Sequence, residues 1–319
     1  MIYFQGSQTI VPICGDNLKA KDAVSALCKK LGYQANDIGS LKQALKLENV
    51  NTKSFTDWLY PSVLSFLFII FNFIWTSINY FIFPKKPQTL KQFISEFSVL
   101  SHLNKVLGFT ALQLLACVYF GSVLASIVQL KNGTKYKLFP KWLDTFLKQR
   151  KQYGLWAFLF ASVHSILSIV VLDPGYLKSW YTSNSTLTFN GDINVITGVI
   201  SYILFVLVAL SSINSIANSL NWKEWHFVQT KIGLSCLLIG TLHTVSMYVN
   251  IYRQKDTDRS VFTTEFLLTR VKLYGIYFPV VVLLLRFVFG YFPPLSRRID
   301  AIRNGTVQSA TNKSQISTA

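Results

Sequence analysis

Long uncharged apolar runs alternate with short polar, basic connections from residue 57 onward, whereas the first fifty-odd residues are mixed and polar throughout. The runs lie at about 57–83, 106–130, 153–173, 193–215, 231–252 and 273–292. Each is long enough to cross a hydrocarbon layer of about 30 Å, which takes roughly 20 helical residues. The pattern predicts six transmembrane helices. The front differs in period: "TIVPICGD" predicts a strand, "LKAKDAVSALCKKLG" an amphipathic helix ending at Gly32, "YQANDIG" a second strand and "SLKQALKLEN" a helix capped by Ser40. The expected fold is therefore an all-α membrane domain of six transmembrane helices (56–295), preceded by a short βαβα remnant of an α/β dinucleotide-binding domain (1–55) and followed by a cytosolic tail (296–319).

Composition supports a membrane protein: 51% of the 319 residues are hydrophobic and only 14% charged, far from soluble averages. Charge then orients the chain. The loop between the second and third spans holds Lys131, Lys135, Lys137, Lys141, Lys148, Arg150 and Lys151 against the single acid Asp144, and Arg297, Arg298 and Arg303 follow the last span. Cations in short loops favour the cytosol, so both regions are expected inside, together with the N-terminus, which lacks a signal-peptide pattern. Its opening "YFQGS" resembles a protease-site scar. The loop carrying the sequon Asn184-Ser185-Thr186 is expected outside. The net charge of +17 fits this topology and attraction to anionic lipid heads or an anionic cofactor; no nucleic-acid partner is expected. The four cysteines, Cys14, Cys28, Cys117 and Cys236, avoid the outer loops, so no structural disulfide is expected.

Histidine carries the candidate chemistry. His164 lies thirteen residues beyond Lys151, and His243 lies twelve beyond Lys231, in two spans that both run outward. A rise of about 1.5 Å per residue puts each imidazole roughly 18–20 Å from the inner boundary. Ionisable groups at that depth are functional by default, and two level neutral imidazoles can supply both axial positions of a haem iron. The competing role, hydrogen bonding to a neighbouring helix, suits a single histidine better than a depth-matched pair. His102 and His226 sit at membrane edges and are expected to be interfacial polar residues. No G-x-G-x-x-G turn, which would cradle a dinucleotide pyrophosphate at a helix N-terminus, occurs in the chain.

The stretches "QLKNGTKYKLFPKWLDTFLKQRKQYGL" before His164, "SLNWKEWHFVQTKIG" before His243, "FPPLSRRIDAIRNG" after the last span and "VPICGDN…LGYQANDIGSLKQALKLEN" at the front resemble the STEAP family of six-transmembrane metalloreductases. The resemblance implies electron flow from cytosolic NADPH through FAD to one haem b, and on to ferric or cupric ions outside, with an N-terminal domain similar to F420H2:NADP oxidoreductases. It implies His164 and His243 as axial haem ligands, and Trp142, Arg150, Ser212, Gln229 and Lys231 at the flavin site. Phe205 matches the aromatic that the family places between flavin and haem. It further implies homotrimers or heterotrimers with family members, in the plasma or endosomal membrane. The absence of the phosphate-binding turn leaves a second expectation open, a haem-binding subunit or scaffold that assembles with intact relatives. A transporter or channel would also account for polar groups inside the membrane.

Overall fold

A computed structural model describes residues 10–44, 58–81, 96–174, 177, 180–253 and 274–305, with the side chains of 79–81, 96–98 and 248–253 left aside. The chain divides into two compact units, Met1–Thr56 and Asp57–Ala319.

In the first unit, β1 (Ile10–Cys14) and β2 (Gln34–Gly39) pair in parallel, with Ile10 opposite Gln34 and a register shift between Ile13 and Cys14. Parallel neighbours need a crossover, here the helix α1 (Leu18–Lys30). Asn17 starts it, its side chain accepting from the Ala20 amide at 3.2 Å. Gly32 ends the turn beyond it with φ +80°, a conformation that glycine adopts at little cost. The expected strand, helix and second strand are thus all present. The helix expected after Ser40 lies mostly outside the described residues.

The second unit is helical: α2 (Leu59–Phe81), α3 (Glu96–Asn132), α4 (Lys141–Lys148), α5 (Arg150–Val171), α6 (Phe189–Leu210), α7 (Asn214–Ser219), α8 (Trp222–Phe227), α9 (Gly233–Arg253), α10 (Tyr274–Tyr291) and α11 (Pro293–Asn304). A π-helical turn, Val228–Ile232, joins α8 to α9. Among the described residues, five of these helices (α2, α3, α5, α6 and α10) are long and apolar enough to cross a membrane. The run expected at 231–252 is helical as well, in α9.

α3 is the axis of this unit. In its apolar window 61% is buried, against 17–22% in the other four. Leu114, Leu115, Ala116 and Tyr119 of α3 form one core with Ala157 and Phe160 of α5, Phe205 of α6, Leu237 of α9 and Val282 of α10. The outer helices turn Ile169, Ile203 and Leu284 outward, 77%, 54% and 59% exposed, as a lipid-facing surface requires. Because lipid tails are as apolar as leucine, interhelical polar contacts help fix such a bundle. Asn72 of α2 donates to Thr110 Oγ1 and Gln113 Oε1 of α3, both at 2.9 Å, and accepts from the Tyr274 hydroxyl of α10 at 2.7 Å. All of its polar capacity at that point is used inside the protein.

The region expected as a tail from residue 296 begins as α11, which starts at Pro293, a residue suited to a first helical turn. Ile299 and Ile302 of α11 are buried, so an amphipathic face anchors this segment to the membrane unit.

Candidate functional site

Two matching arrangements hold the intramembrane histidines. His164 of α5 bonds through Nδ1 to the Asn104 carbonyl of α3 at 2.8 Å. His243 of α9 bonds through Nδ1 to the Asn194 carbonyl of α6 at 2.9 Å. In each case a glycine stands four residues beyond the asparagine. A Cβ at Gly108 would lie 2.9 Å from His164 Cε1, and one at Gly198 would lie 2.9 Å from His243 Cε1. The same Asn-x-x-x-Gly pattern thus cradles both rings, one turn supplying the carbonyl and the next the space.

The asparagine side chains repeat the theme. Asn194 donates to the His243 carbonyl at 2.9 Å and to Ser246 Oγ at 2.8 Å, and Asn104 donates to Ser168 Oγ at 3.0 Å. Each asparagine therefore pins the ring by its carbonyl and the following helical turn by its amide. A neutral imidazole that donates from Nδ1 carries its lone pair on Nε2, and neither Nε2 has a hydrogen-bond partner among the described residues. This is the arrangement that a metal-ligating histidine has, with one nitrogen oriented by a carbonyl and the other free. Two such nitrogens, on helices that pack about the same core, are of the donor type that a haem iron takes.

Further along α6, Phe205 is buried and meets Phe158 edge-to-face with ring centres 5.6 Å apart. It lies seven residues after Gly198 within α6, and Ser212 follows just beyond the end of that helix. Positions seven apart share a helix face and stand about 10 Å apart along the axis. At the end of that face the Gln229 amide donates to Val208 O at 3.1 Å and to Ser211 and Ser212 Oγ, both at 2.9 Å. The Tyr119 hydroxyl caps the π turn by donating to the Gln229 carbonyl at 3.0 Å, and it approaches Gly233 so closely that no side chain fits there. The amide and Ser212 therefore meet, as the sequence expectation requires of one site.

The other expected flavin residues are more scattered. Arg150 opens α5, its Nε donating to Leu147 O at 3.2 Å, and its Cδ lies 3.4 Å from where a Cβ at Gly121 would stand. Trp142 is exposed on α4, 59% accessible, and Lys231 is exposed in the π turn. Neither makes a polar contact with Gln229, Ser212 or Arg150.

His226 is exposed and stacks on Trp222 with ring centres 5.6 Å apart, as an interfacial residue does. His102, the other histidine expected at a membrane edge, is packed inside the helices. It is buried, with Nε2 3.0 Å from Thr76 Oγ1 and 3.2 Å from Ser77 Oγ, and its ring stands T-shaped to that of Phe73 with ring centres 5.3 Å apart. α3 continues past the predicted start of its span, and α2 covers that extra turn. All four cysteines are free. Sequence reasoning missed Asn104, Gly108, Asn194 and Gly198, although the repeated "NKVLG" and "NVITG" are a signal that could have found them.

The geometry is that of a helical membrane unit with two oriented, inward-packed imidazoles. The family model described as ferric reductase like transmembrane component matches residues 107–231, a range that includes Gly108, His164, Gly198, Phe205 and Gln229. Three relatives extend the likeness. Metalloreductase STEAP3 of Rattus norvegicus is 34% identical across 92% of this chain. Metalloreductase STEAP2 of Homo sapiens and that of Mus musculus are each 31% identical across 94%. The chain is thus similar to the STEAP metalloreductases along nearly all of its length, and it spans 62% of the length of these relatives.

Proposed function

We propose that this chain carries electrons one at a time across the membrane, from a flavin on the cytosolic side through a bis-histidine haem b to ferric or cupric ions on the other side. The observation that supports it most is the pair of histidines, each with Nδ1 tied to an asparagine carbonyl, Nε2 free and a glycine against the ring.

When bound, FAD would accept two electrons and release them singly, and the haem iron would take one at a time. The residues of this chain do the positioning. His164 and His243 would hold the haem, their orientation set before it arrives by Asn104 and Asn194. Gln229 would meet the flavin with its Oε1, since its amide hydrogens already serve Val208, Ser211 and Ser212. Arg150 would offer a forked donor to the diphosphate. Phe205, buried on α6, would fill the interval between the two with aromatic carbon and exclude water. Trp142 and Lys231 would complete the flavin site from the exposed side.

No G-x-G-x-x-G turn is present in these residues, so in this proposal NADPH is held by another polypeptide or segment and this chain takes over at the flavin. Assembly as a homotrimer or heterotrimer with family members, in the plasma or endosomal membrane with both termini cytosolic, belongs to the same reading. In the same reading the ferric or cupric ion is captured transiently near the haem edge and not in a standing cage.

The test is an absorption spectrum of the purified protein, alone and with His164→Leu or His243→Leu. The expected result is a six-coordinate, low-spin haem b that neither variant retains. Full retention in both variants would sink the proposal.

A further inference from the structure

Three arginines from three separate helices meet about two turns of α3, from Gly121 to Gln129. Arg150 of α5 lies along Gly121, its Cδ 3.4 Å from where a Cβ there would stand. Arg286 of α10 donates from Nη1 to Ser122 Oγ at 3.1 Å. Arg303 of α11 donates from Nη2 to Ser126 Oγ at 3.3 Å and from Nε to Gln129 Oε1 at 3.1 Å. Arg286 is within electrostatic reach of both the others.

Such a gathering of like charge needs compensation. None of the three is paired with a carboxylate among the described residues, and Asp300, a turn before Arg303, makes no ion pair with it. Among the described residues their hydrogen-bond partners are all neutral acceptors: the Ser122 and Ser126 hydroxyls, the Gln129 side-chain oxygen and the Leu147 carbonyl. The Nε of Arg286 is buried with no hydrogen-bond partner among the described residues. An arginine placed within an apolar span with an idle donor is costly unless it serves a ligand. Arg150 and Arg303 are exposed and Arg286 half-buried, so the cluster opens at one side and closes at depth.

We infer that Arg150, Arg286 and Arg303 form a phosphate-ester site at the Asn132 end of α3, with Arg286 as its floor. Guanidinium forks match phosphate oxygens in pairs, and three of them supply more donors than one phosphate can use. A diphosphate, or a phosphomonoester that carries two charges, suits them better than a singly charged diester. Two sources offer that chemistry: the diphosphate of a dinucleotide flavin, which rests on the function proposed above, and an anionic lipid headgroup. Tyr119, one turn from Ser122, also bonds the Gln229 carbonyl, so the cluster adjoins the amide expected to meet the flavin ring.

The experiment compares the full-length, haem-loaded protein with Arg286→Gln, Arg303→Gln and Arg286→Lys. All are placed in nanodiscs of phosphatidylcholine and titrated with FAD, FMN and riboflavin by flavin fluorescence. Loss of a charge-assisted pair predicts roughly tenfold weaker FAD and FMN binding in both glutamine variants, with riboflavin unchanged and Arg286→Lys between. Native mass spectrometry of the same proteins with phosphatidic acid forms the second arm. Retention of that lipid by the wild type and its loss in Arg286→Gln supports the site with the headgroup as occupant, even if no flavin binds. An unaltered haem spectrum certifies the fold and leaves the histidine proposal standing in either case. If Arg286→Gln changes neither phosphate-bearing flavins nor phosphatidic acid, or weakens riboflavin as much as FAD, the site is overturned.

Discussion

Gly198 lies directly against the imidazole of His243, and its missing side chain is what lets that ring reach the Asn194 carbonyl one turn away. Gly108 stands in the same relation to His164. A methyl group at either glycine would have to share space with the ring, and overpacking in a tight core typically costs about 1–3 kcal/mol. Gly108→Ala and Gly198→Ala should therefore bind haem poorly or lose its low-spin spectrum. Gly290, which has open space around its Cβ position, provides the control: Gly290→Ala should keep the spectrum intact.

Asn194 joins α6 to α9 twice, through its carbonyl and through its buried amide. Asn194→Ala keeps the carbonyl but frees the His243 turn, at a cost of about 1–3 kcal/mol for a buried donor network. Transfer of haem to apomyoglobin should run faster in this variant than in the wild type. Asn104→Ala should have a smaller effect, since Asn104 has only Ser168 as its amide acceptor. Equal transfer rates in all three proteins would remove the asparagines from the account.

Phe205 is a core residue as well as the expected relay, so a cavity confuses the simplest test. Phe205→Ala would cost about 3–5 kcal/mol from lost packing. Phe205→Leu keeps most of the volume and removes the ring. Stopped-flow reduction of the haem by chemically reduced FAD should slow in Phe205→Leu while haem content stays constant. An unchanged rate would assign Phe205 to packing alone.

Gln229 donates to three acceptors on the turn that ends α6. Gln229→Glu would set a carboxylate against the Val208 carbonyl and should be worse than Gln229→Ala. Both should weaken flavin binding by roughly tenfold and leave the haem spectrum unaltered, as measured by fluorescence titration and absorbance on one sample.

In the front unit, the Lys21 ammonium 2.7 Å from Asp37 holds that carboxyl below the usual range, aided by the Gly39 amide. A depressed carboxyl contributes stability that is present above its ordinary titration range and lost as pH falls through the lowered value. Asp37→Asn should therefore melt earlier than the wild type near neutrality, by a small margin because the pair is at the surface. The two melting curves should converge in strong acid. A margin that persists there would point to a contribution other than charge.

The histidines were legible in the chain because an imidazole inside an apolar run is conspicuous and because both lie equally far from a basic boundary. Their cradles were hidden for a simple reason. Asn104 precedes His164 by sixty residues and Asn194 precedes His243 by forty-nine, and only the packing of α5 on α3 and of α9 on α6 joins them. The start of α3 was misjudged because apolar run length was the guide. Its first turns carry His102, Asn104 and Lys105, yet they remain helical, since the buried His102 is satisfied by hydroxyls of α2. Arg286 was passed over inside a run of leucines and phenylalanines, where one charge barely lowers the mean hydropathy. Trp142 and Lys231 are exposed, and Lys231 shares the π turn of Gln229, but neither is joined to that amide by a hydrogen bond that would single it out.

The π turn at Val228–Ile232 runs without a break into α9, so Gln229 and His243 belong to one continuous helical rod. A donor site and an acceptor site mounted on the same rod keep a fixed separation whatever the loops around them do. Under the proposed function the electron would cross a distance set at the time of folding, with no gate to open and no partner to swing into place. The transfer between flavin and haem should then be indifferent to solvent viscosity, and its tempo would be decided by how fast electrons are loaded at one end and unloaded to a metal ion at the other.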